Sequence, residues 1–212
     1  INCEERLPLL EKGKSHCLSF LPVSHIYERM LHYMYIASGI HMYLSGMDTI
    51  KDDLAVARPH IFTGVPRLFE KFYDGILAKG MANTGIKKAL FKWAHDLALD
   101  WEPDGANGAF YELKLSIARK LVFSKVKAAL GLTEIRAVAS GSAALQMRLA
   151  KFFNGAGIPV LEGYGLTETS PVISVNTMRS PGMLRPGTVG KVISGVEVKI
   201  AADGEILCRV QT

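Results

Sequence analysis

A short apolar strand runs into a glycine-rich loop at Pro159-Val160-Leu161-Glu162-Gly163-Tyr164-Gly165-Leu166-Thr167-Glu168-Thr169-Ser170-Pro171. In an open parallel sheet, ligands bind in the crevice beyond the carboxyl ends of the strands, and this loop would lie there. Gly163 and Gly165 flank an aromatic residue, so the backbone can approach a flat ligand while the Tyr164 ring stacks on it. The Thr167 hydroxyl and the Glu168 carboxylate can bind a phosphate oxygen and its magnesium ion, which prefers oxygen ligands. On these residues alone, a plain surface loop is an equally good interpretation.

A second loop of small residues also lies between a predicted strand and a predicted helix. It reads Ala139-Ser140-Gly141-Ser142-Ala143-Ala144. Small residues expose backbone N–H groups at a helix N-terminus, which suits an anion or the close approach of a ligand. Taken alone, such a loop is also a common connector.

The alternation of strand and helix patterns predicts an α/β fold. Strand-like runs lie at residues 18–23, 40–44, 60–65, 135–139 and 159–161. Helical patterns separate them, with Ser24 as the predicted cap of the first helix and a later helix over residues 144–153. This order predicts a parallel-sheet layer with crossover helices, and two further helices over 86–101 and 111–130 form a helical insertion at about residues 80–131.

Beyond residue 181 the helical periodicity ends and β-rich runs follow. They cover residues 188–193, 196–200 and 205–210, and Asp203-Gly204 between the last two runs predicts a hairpin. We therefore predict two units, an α/β subdomain at residues 1–180 and an incomplete all-β unit at 181–212.

Composition excludes several classes of protein. The 212 residues are 49% hydrophobic and 21% charged with a net charge of +5, which indicates a soluble globular protein and excludes a disordered tail. Cys3, Cys17 and Cys208 form no C-x-x-C pair, so we interpret them as free thiols rather than as a disulfide frame or a zinc site. The chain lacks an initial Met and stops directly after a strand-like run, so we expect a fragment of a longer protein.

The basic character of the chain leaves its partners open. A pI of about 9.1 would suit nucleic acid, but the basic residues are not interleaved with exposed-looking aromatic residues. The basic helix at 111–130 could touch anionic lipid, although a solvated structural helix is the better interpretation. The apolar stretch at 30–40 is too short to span a bilayer.

Several motifs together resemble one enzyme family. Residues 162–169 resemble the Y-G-x-T-E signature of the adenylate-forming (acyl-adenylate synthetase) superfamily, and residues 140–145 resemble its small-residue adenine loop. The segment Phe20-Leu21-Pro22-Val23-Ser24-His25-Ile26-Tyr27-Glu28-Arg29 is similar to the L-P-x-x-H-x-x-E-R segment of the long-chain fatty acyl-CoA synthetases. Residues 63–71 and the helical insertion resemble the same branch, and residues 187–191 and 203–206 resemble the start of the family's β-barrel subdomain.

The resemblance implies an internal fragment of the large N-terminal domain of a long-chain fatty acid–CoA ligase, with the start of a small β-barrel subdomain at 181–212. In that reaction a fatty carboxylate attacks the α-phosphate of ATP to give acyl-AMP and pyrophosphate, and the thiol of coenzyme A then displaces AMP. The resemblance implies that Thr167 contacts the α-phosphate, Glu168 holds Mg2+ and His25 orients the carboxylate or phosphate. It further implies an adenine site, with Tyr164 stacked on the base, formed by Gly141, Ser142, Ala143, Glu162, Gly163, Tyr164 and Gly165.

The family's other functional parts would lie outside this chain. Its phosphate loop precedes the position of Ile1, and its ribose-binding aspartate and C-terminal domain would follow Thr212, so we expect the isolated fragment to be inactive. Fatty acid, ATP and coenzyme A are the expected partners, without nucleic acid, in the cytoplasm or peripherally at a membrane. The alternatives are an enzyme that loads an acyl carrier protein, and a non-catalytic nucleotide-binding or lipid-surface module.

Overall fold

A computed structural model describes residues 5–7 and 10–210 of the chain. Cys3 and the outer ends of both predicted units, at residues 1 and 212, lie outside the described residues. Within the described part, a seven-stranded sheet and a separate two-stranded sheet are present, with helices packed on the larger sheet. The predicted α/β class, with a mostly parallel sheet and crossover helices, is confirmed.

The strands are short and the helices between them are longer. The strands are His16–Ser19 (β1), His41–Leu44 (β2), Ile61–Gly64 (β3), Ala137–Ser140 (β4), Val160–Gly165 (β5), Val172–Val175 (β6), Lys191–Val192 (β7), Val196–Ile200 (β8) and Ile206–Val210 (β9). The α-helices are Ile26–Ala37 (α1), Ile50–Ala57 (α2), Pro66–Met81 (α3), Gly85–Leu99 (α4), Ala109–Ala118 (α5), Ser124–Ala129 (α6) and Met147–Gly155 (α7). A π-helical segment, Arg119–Phe123, joins α5 to α6.

The large sheet has the strand order β2-β1-β3-β4-β5-β6-β7. The pairs from β2 through β5 are parallel, whereas β6 pairs with β5 and with β7 in antiparallel fashion. Each parallel crossover contains a helix, and the crossover from β3 to β4 contains the helical insertion. All five parallel strands therefore end at the same edge of the sheet.

Alternating side chains divide the core into two clusters, one on each face of the sheet. Leu18, Phe62 and Val138 are in register on neighbouring strands and pack with residues of α2, α3, α4 and α7. The residue directly before each of these three faces the opposite side of the sheet and packs with residues of α1. Burial of both faces is typical of parallel sheets and supplies most of the apolar stabilisation of the fold.

The start of α1 and the end of β1 differ from the prediction. The N-cap of α1 is His25, not Ser24, and it makes no side-chain capping hydrogen bond. The strand predicted at 18–23 ends at Ser19, because the chain turns before α1 and the His25 N–H donates to the Pro22 carbonyl oxygen. The predicted helix at 144–153 likewise begins late, at Met147.

The region after β5 contains an additional buried strand that the sequence analysis missed. Strand β6 follows a single 3-10 turn, and β7, from the range predicted to be a separate unit, pairs with β6 in the large sheet. The hairpin at Asp203-Gly204 is confirmed, because β8 and β9 pair along their full length as a separate sheet. The boundary between residues 180 and 181 stays a prediction.

Candidate functional site

A pocket lies at the carboxyl ends of β4 and β5, beneath the first turns of α1. The space between its walls, open solvent at its mouth included, is about 710 Å³. Most of the predicted site residues line it: His25, Gly141, Ser142, Gly163, Tyr164, Gly165 and Thr167. Loops far apart in the sequence therefore meet at one site.

The wall of the pocket formed by α1 and β6 is apolar. Met30 and Leu31 contribute from the helix, and Val172 and Val175 contribute from the strand. An apolar wall next to polar loops suits a ligand with a long hydrocarbon part and a polar end.

Three of the predicted site residues do not line this pocket. Ala143 is exposed on the loop after β4, and Glu168 is exposed beside Thr167. Glu162 is only 7% exposed, and its carboxylate accepts a hydrogen bond of 3.0 Å from the Gly187 N–H. Burial raises the pKa of Glu162, and the Gly187 hydrogen bond opposes this rise.

The loop that contains Gly187 is fixed to the sheet by a second buried residue. The Asn176 side chain is fully buried and donates to the Thr188 carbonyl oxygen at 2.5 Å. Its amide oxygen accepts from the Arg185 N–H at 3.0 Å. Together with Glu162, Asn176 therefore holds residues 185–188 against β5 and β6.

The turn after β5 presents Thr167 and Glu168 to solvent. Thr169 supplies its internal hydrogen bonds: the Thr169 hydroxyl accepts from the Leu166 N–H at 2.9 Å and lies 2.7 Å from the Pro171 carbonyl oxygen. Among the described residues, neither a hydrogen bond nor an ion pair engages the Glu168 carboxylate. Thr169 thus shapes the turn, and the two residues before it keep their polar groups available.

The fold itself requires a glycine at position 165. A Cβ atom there would lie 1.7 Å from the Pro171 carbonyl oxygen, because β5 and β6 approach closely at a register shift. At Gly163 the nearest atom would be the Ser174 carbonyl oxygen, at an ordinary contact distance of 3.4 Å. Of these two glycines, Gly163 therefore has room for a side chain and Gly165 does not.

Gly141 brings the two loops and α1 together. A Cβ atom at this position would lie 3.1 Å from the ring of Tyr27, which packs across the glycine. Tyr27 belongs to the first turn of α1, two residues after His25. The small residue at 141 therefore allows the helix to close one side of the pocket.

His25 stands at the mouth of the pocket with an exposed side chain. A second cleft is bordered by His25, Arg29 and Thr167. Arg29 is exposed, and its Nε donates to the Val23 carbonyl oxygen at 3.1 Å. The first turns of α1 thus place a cationic side chain near the predicted phosphate-binding hydroxyl, a placement that the sequence analysis did not predict.

The sequence analysis also missed a buried polar cluster beneath the first turns of α1. Glu28 is 1% exposed, and its carboxylate accepts hydrogen bonds from the Ser19 hydroxyl at 2.5 Å and the Thr63 hydroxyl at 2.7 Å. His32 Nε2 lies 2.6 Å from the Ser19 hydroxyl. We call Glu28, Ser19, Thr63 and His32 the Glu28 cluster. In the sequence, this cluster corresponds to a Glu and a His four residues apart and to one hydroxyl residue at or next to the end of each of two apolar strands.

A mostly parallel sheet with glycine-rich and hydroxyl-rich loops at its carboxyl edge is typical of nucleotide-binding α/β enzymes. The model of the AMP-binding enzyme family matches residues 2–210. The chain belongs to this family.

Several similar curated proteins are long-chain fatty acid–CoA ligases or long-chain acyl-CoA synthetases. The long-chain-fatty-acid–CoA ligase FadD15 of Mycobacterium tuberculosis is 37% identical over 205 residues, which is 95% of this chain and 33% of FadD15. The ligase ACSBG2 of Xenopus laevis is 35% identical, with 90% of this chain and 27% of the relative covered. The peroxisomal long chain acyl-CoA synthetase 7 of Arabidopsis thaliana is 36% identical, with 86% and 25% covered. The chain thus spans a third or less of the length of these relatives.

Solved structures share the fold at low identity. Escherichia coli MenE with a bound m-phenylether-linked analogue of OSB-AMS has a TM-score of 0.58 at 16% identity, over 99% of this chain and 33% of that one. The N-terminal domain of FACL13 from Mycobacterium tuberculosis has a TM-score of 0.57 at 15% identity, over 97% and 40%. The Bacillus subtilis MenE complex with the acyl-adenylate intermediate OSB-AMP has a TM-score of 0.55 at 16% identity, over 92% and 30%.

Proposed function

We propose that this chain is part of a long-chain fatty acid–CoA ligase. The intact enzyme would transfer the AMP group of ATP to a fatty carboxylate, with pyrophosphate as the leaving group, and would then transfer the acyl group from AMP to the thiol of coenzyme A. The observation that carries the proposal is the apolar pocket that opens beside the unengaged Thr167–Glu168 pair. The names of the similar curated proteins support the same reaction.

The polar loops are the proposed nucleotide site. Tyr164 would stack on adenine, with Gly163 and the loop residues Gly141, Ser142 and Ala143 around the base. Gly165 would keep the turn after β5 in place, because no other residue fits there. Glu162 would act from behind the site by holding Gly187.

The apolar wall is the proposed acyl site. A fatty chain along Met30, Leu31, Val172 and Val175 would gain about 0.8 kcal/mol for each methylene that it removes from water. Its carboxylate would then lie toward the mouth, near His25. His25 would orient the carboxylate, and the Thr167 hydroxyl would donate to an oxygen of the α-phosphate, so that attack is in line.

Glu168 fits a magnesium ion that is shared with a nucleotide. The described residues contain no group of three or more His, Cys, Asp or Glu side chains that could hold a metal on their own. Magnesium is commonly bound by one or two carboxylates together with substrate phosphates, and Glu168 is a single exposed carboxylate of this kind. When bound, the ion would neutralise charge on the phosphates.

The ligase proposal is tested with the whole protein that contains this chain. ATP–pyrophosphate exchange is measured with carboxylates from acetate to stearate, followed by acyl transfer to coenzyme A or to an acyl carrier protein. We expect exchange that depends on long-chain acids and transfer to coenzyme A. Exchange with none of the acids, or with short acids alone, contradicts the proposal, and transfer to the carrier protein alone supports the alternative enzyme. A cytoplasmic location and the lack of a nucleic-acid partner stay predictions.

A further inference from the structure

The first turn of α1 forms part of the pocket wall, but no side-chain cap fixes its position. Ile26 and Tyr27 line the pocket next to His25, as do Met30 and Leu31 one turn further along. The N-cap residue, His25, makes no side-chain capping hydrogen bond. The side-chain contacts that hold this turn over the sheet therefore lie beneath it.

Glu28 connects this turn to two neighbouring strands. Its Oε1 accepts a hydrogen bond from the Ser19 hydroxyl at 2.5 Å, and its Oε2 accepts one from the Thr63 hydroxyl at 2.7 Å. Ser19 is the last residue of β1, and Thr63 is the last residue but one of β3. Each carboxylate oxygen thus has a donor from a different strand, so the side chain fixes the helix to both strand ends.

His32 extends this connection to the next turn of α1. Its Nε2 atom lies 2.6 Å from the Ser19 hydroxyl oxygen. A hydroxyl has one proton, and Ser19 donates it to Glu28, so the Nε2–H group of His32 is the donor to Ser19. The resulting chain of hydrogen bonds runs from His32 through Ser19 to Glu28 and holds two successive turns of α1 at the end of β1.

The Glu28 cluster lies behind the pocket wall. None of its four residues, all of which the structure describes, lines the pocket. The first turn is closed around Glu28, because the Arg29 N–H donates to the His25 carbonyl oxygen at 3.1 Å. A shift of the Glu28 side chain therefore moves His25, although the cluster itself does not touch a ligand in the pocket.

Stability alone does not explain a carboxylate in this place. A buried charge must offset its desolvation, and a well-packed apolar side chain of similar volume often stabilises a protein equally well. Hydrogen bonds differ from apolar contacts because they depend on direction as well as on distance. A carboxylate with one donor on each oxygen therefore sets the position of the helix start more sharply than apolar packing does.

We propose that Glu28 is a positioning residue that acts through His25. This inference rests on the ligase function proposed above, in which His25 orients the reacting carboxylate or phosphate. Since a misplacement of about 1 Å can cost about a hundredfold in rate, the loss of one hydrogen bond to Glu28 is expected to slow the reaction. Binding of ATP should change little, because the proposed adenine site belongs to the loops after β4 and β5.

Thr63→Val tests the proposal in the whole protein, since it removes one donor to Glu28 and keeps the size of the side chain. For pyrophosphate exchange with a long-chain acid, we expect kcat to fall about tenfold and KM for ATP to stay within about twofold. Thr63→Ser keeps the hydroxyl and is expected to retain kcat within about twofold of the wild type. Wild-type kcat in Thr63→Val, or equal losses in the Val and Ser variants, contradicts the proposal.

Thr177 offers a matched control for the loss of a buried hydroxyl. It is 2% exposed, and its hydroxyl accepts a hydrogen bond of 3.2 Å from the Arg179 N–H. Thr177→Val therefore makes the same substitution at equal burial, away from α1. We expect the kcat of the wild type in this control, and a loss equal to that of Thr63→Val contradicts the proposal.

A double-mutant cycle with His25→Ala separates positioning from a general loss of folded protein. If Glu28 acts through His25, Thr63→Val should lower kcat by less than about twofold once His25 has been replaced. A merely structural role of the cluster predicts the same factor in both backgrounds. Equal factors therefore contradict the proposal.

Amide hydrogen exchange, followed by mass spectrometry, tests the same inference without catalysis. We expect the amides of residues 24–31 to exchange about tenfold faster in Thr63→Val than in the wild type, and those of α7 to be unchanged. Faster exchange in both segments, or in neither, contradicts the proposal. Absence of pyrophosphate exchange in the wild type contradicts the ligase proposal, and hydrogen exchange then decides separately whether the cluster positions the turn that carries His25.

Discussion

The Glu28 cluster and the Thr167–Glu168 turn both belong to the carboxyl edge of the sheet, and both combine a carboxylate with hydroxyl groups. In the cluster, the Glu28 carboxylate is buried and accepts from two protein hydroxyls. In the turn, the Glu168 carboxylate is exposed and no described residue engages it. A carboxylate whose acceptor capacity is taken up by the protein supports the fold, whereas an unengaged one is available to a ligand.

Glu162 is an intermediate case between these two carboxylates. It is buried like Glu28, but within the described part of the chain one backbone N–H, that of Gly187, donates to its side chain. A buried carboxylate needs hydrogen bonds to offset its desolvation. The number of donors to each carboxylate therefore ranks Glu28, Glu162 and Glu168 by how much their substitution is expected to lower stability. The predictions below for Glu28, Glu162 and Glu168 test that ranking in the whole protein.

Glu28→Ala is expected to have the largest effect on stability. The substitution leaves the buried hydroxyls of Ser19 and Thr63 without their acceptor and opens a cavity beneath α1. We expect a loss of about 3 kcal/mol in the free energy of unfolding, measured by urea denaturation. Glu28→Gln keeps one acceptor oxygen and should lose less. Equal stability of the Ala variant and the wild type contradicts the role of the cluster.

Gly165→Ala is expected to cost about 2 kcal/mol or more, because its Cβ would overlap the Pro171 carbonyl oxygen and force β5 and β6 apart. Gly163→Ala is the matched control, since a Cβ there makes an ordinary contact. We expect the control to unfold at nearly the same urea concentration as the wild type. Equal destabilisation in both variants shows that the close approach at Gly165 has no special role.

Glu162→Gln is expected to have a small effect that depends on pH. Burial raises the pKa of Glu162 above its ordinary value of 4.5, so the folded protein holds this proton to higher pH than the unfolded chain does. Below a pH of 4.5, the Glu162 carboxyl is protonated in both the folded and the unfolded protein. As pH rises through the folded-state pKa, the wild type loses stability that the non-titrating variant does not lose.

The unfolding free energies of the wild type and of Glu162→Gln are measured from pH 4 to pH 8. Their difference is expected to shift in favour of the Gln variant as pH rises. A constant difference across this range contradicts the direction assigned to the pKa of Glu162.

The sequence predicted those parts of the fold that depend on local patterns. The apolar spacing in α1, the alternation of strands and helices, and the Asp203-Gly204 hairpin are all readable within a short window. Strand β6 was missed because Val172–Val175 is short and follows a turn-rich segment. The end of β1 was misplaced because Phe20 and Leu21 continue its apolar run although the chain has already begun to turn.

The parts of the candidate site that lie within one sequence motif could be predicted. The part that forms where strands distant in the sequence meet could not. The loops with Tyr164 and Gly141 were singled out by the family resemblance that their motifs carry together, and the structure brings them to one pocket. The Glu28 cluster depends on β1 lying beside β3, with Leu18 in register with Phe62. That adjacency places Ser19 next to Thr63, and no pattern within either strand reveals it.

Glu168→Ala, assayed in the whole protein for both activity and stability, tests the contrast between the two regions most directly. We predict that the rate of fatty-acid-dependent pyrophosphate release falls more than about tenfold, a change of at least about 1.4 kcal/mol in the activation free energy. The free energy of unfolding should stay within about 0.5 kcal/mol of the wild type. A loss of less than tenfold in rate, or a loss of stability comparable to that of Glu28→Ala, contradicts the account.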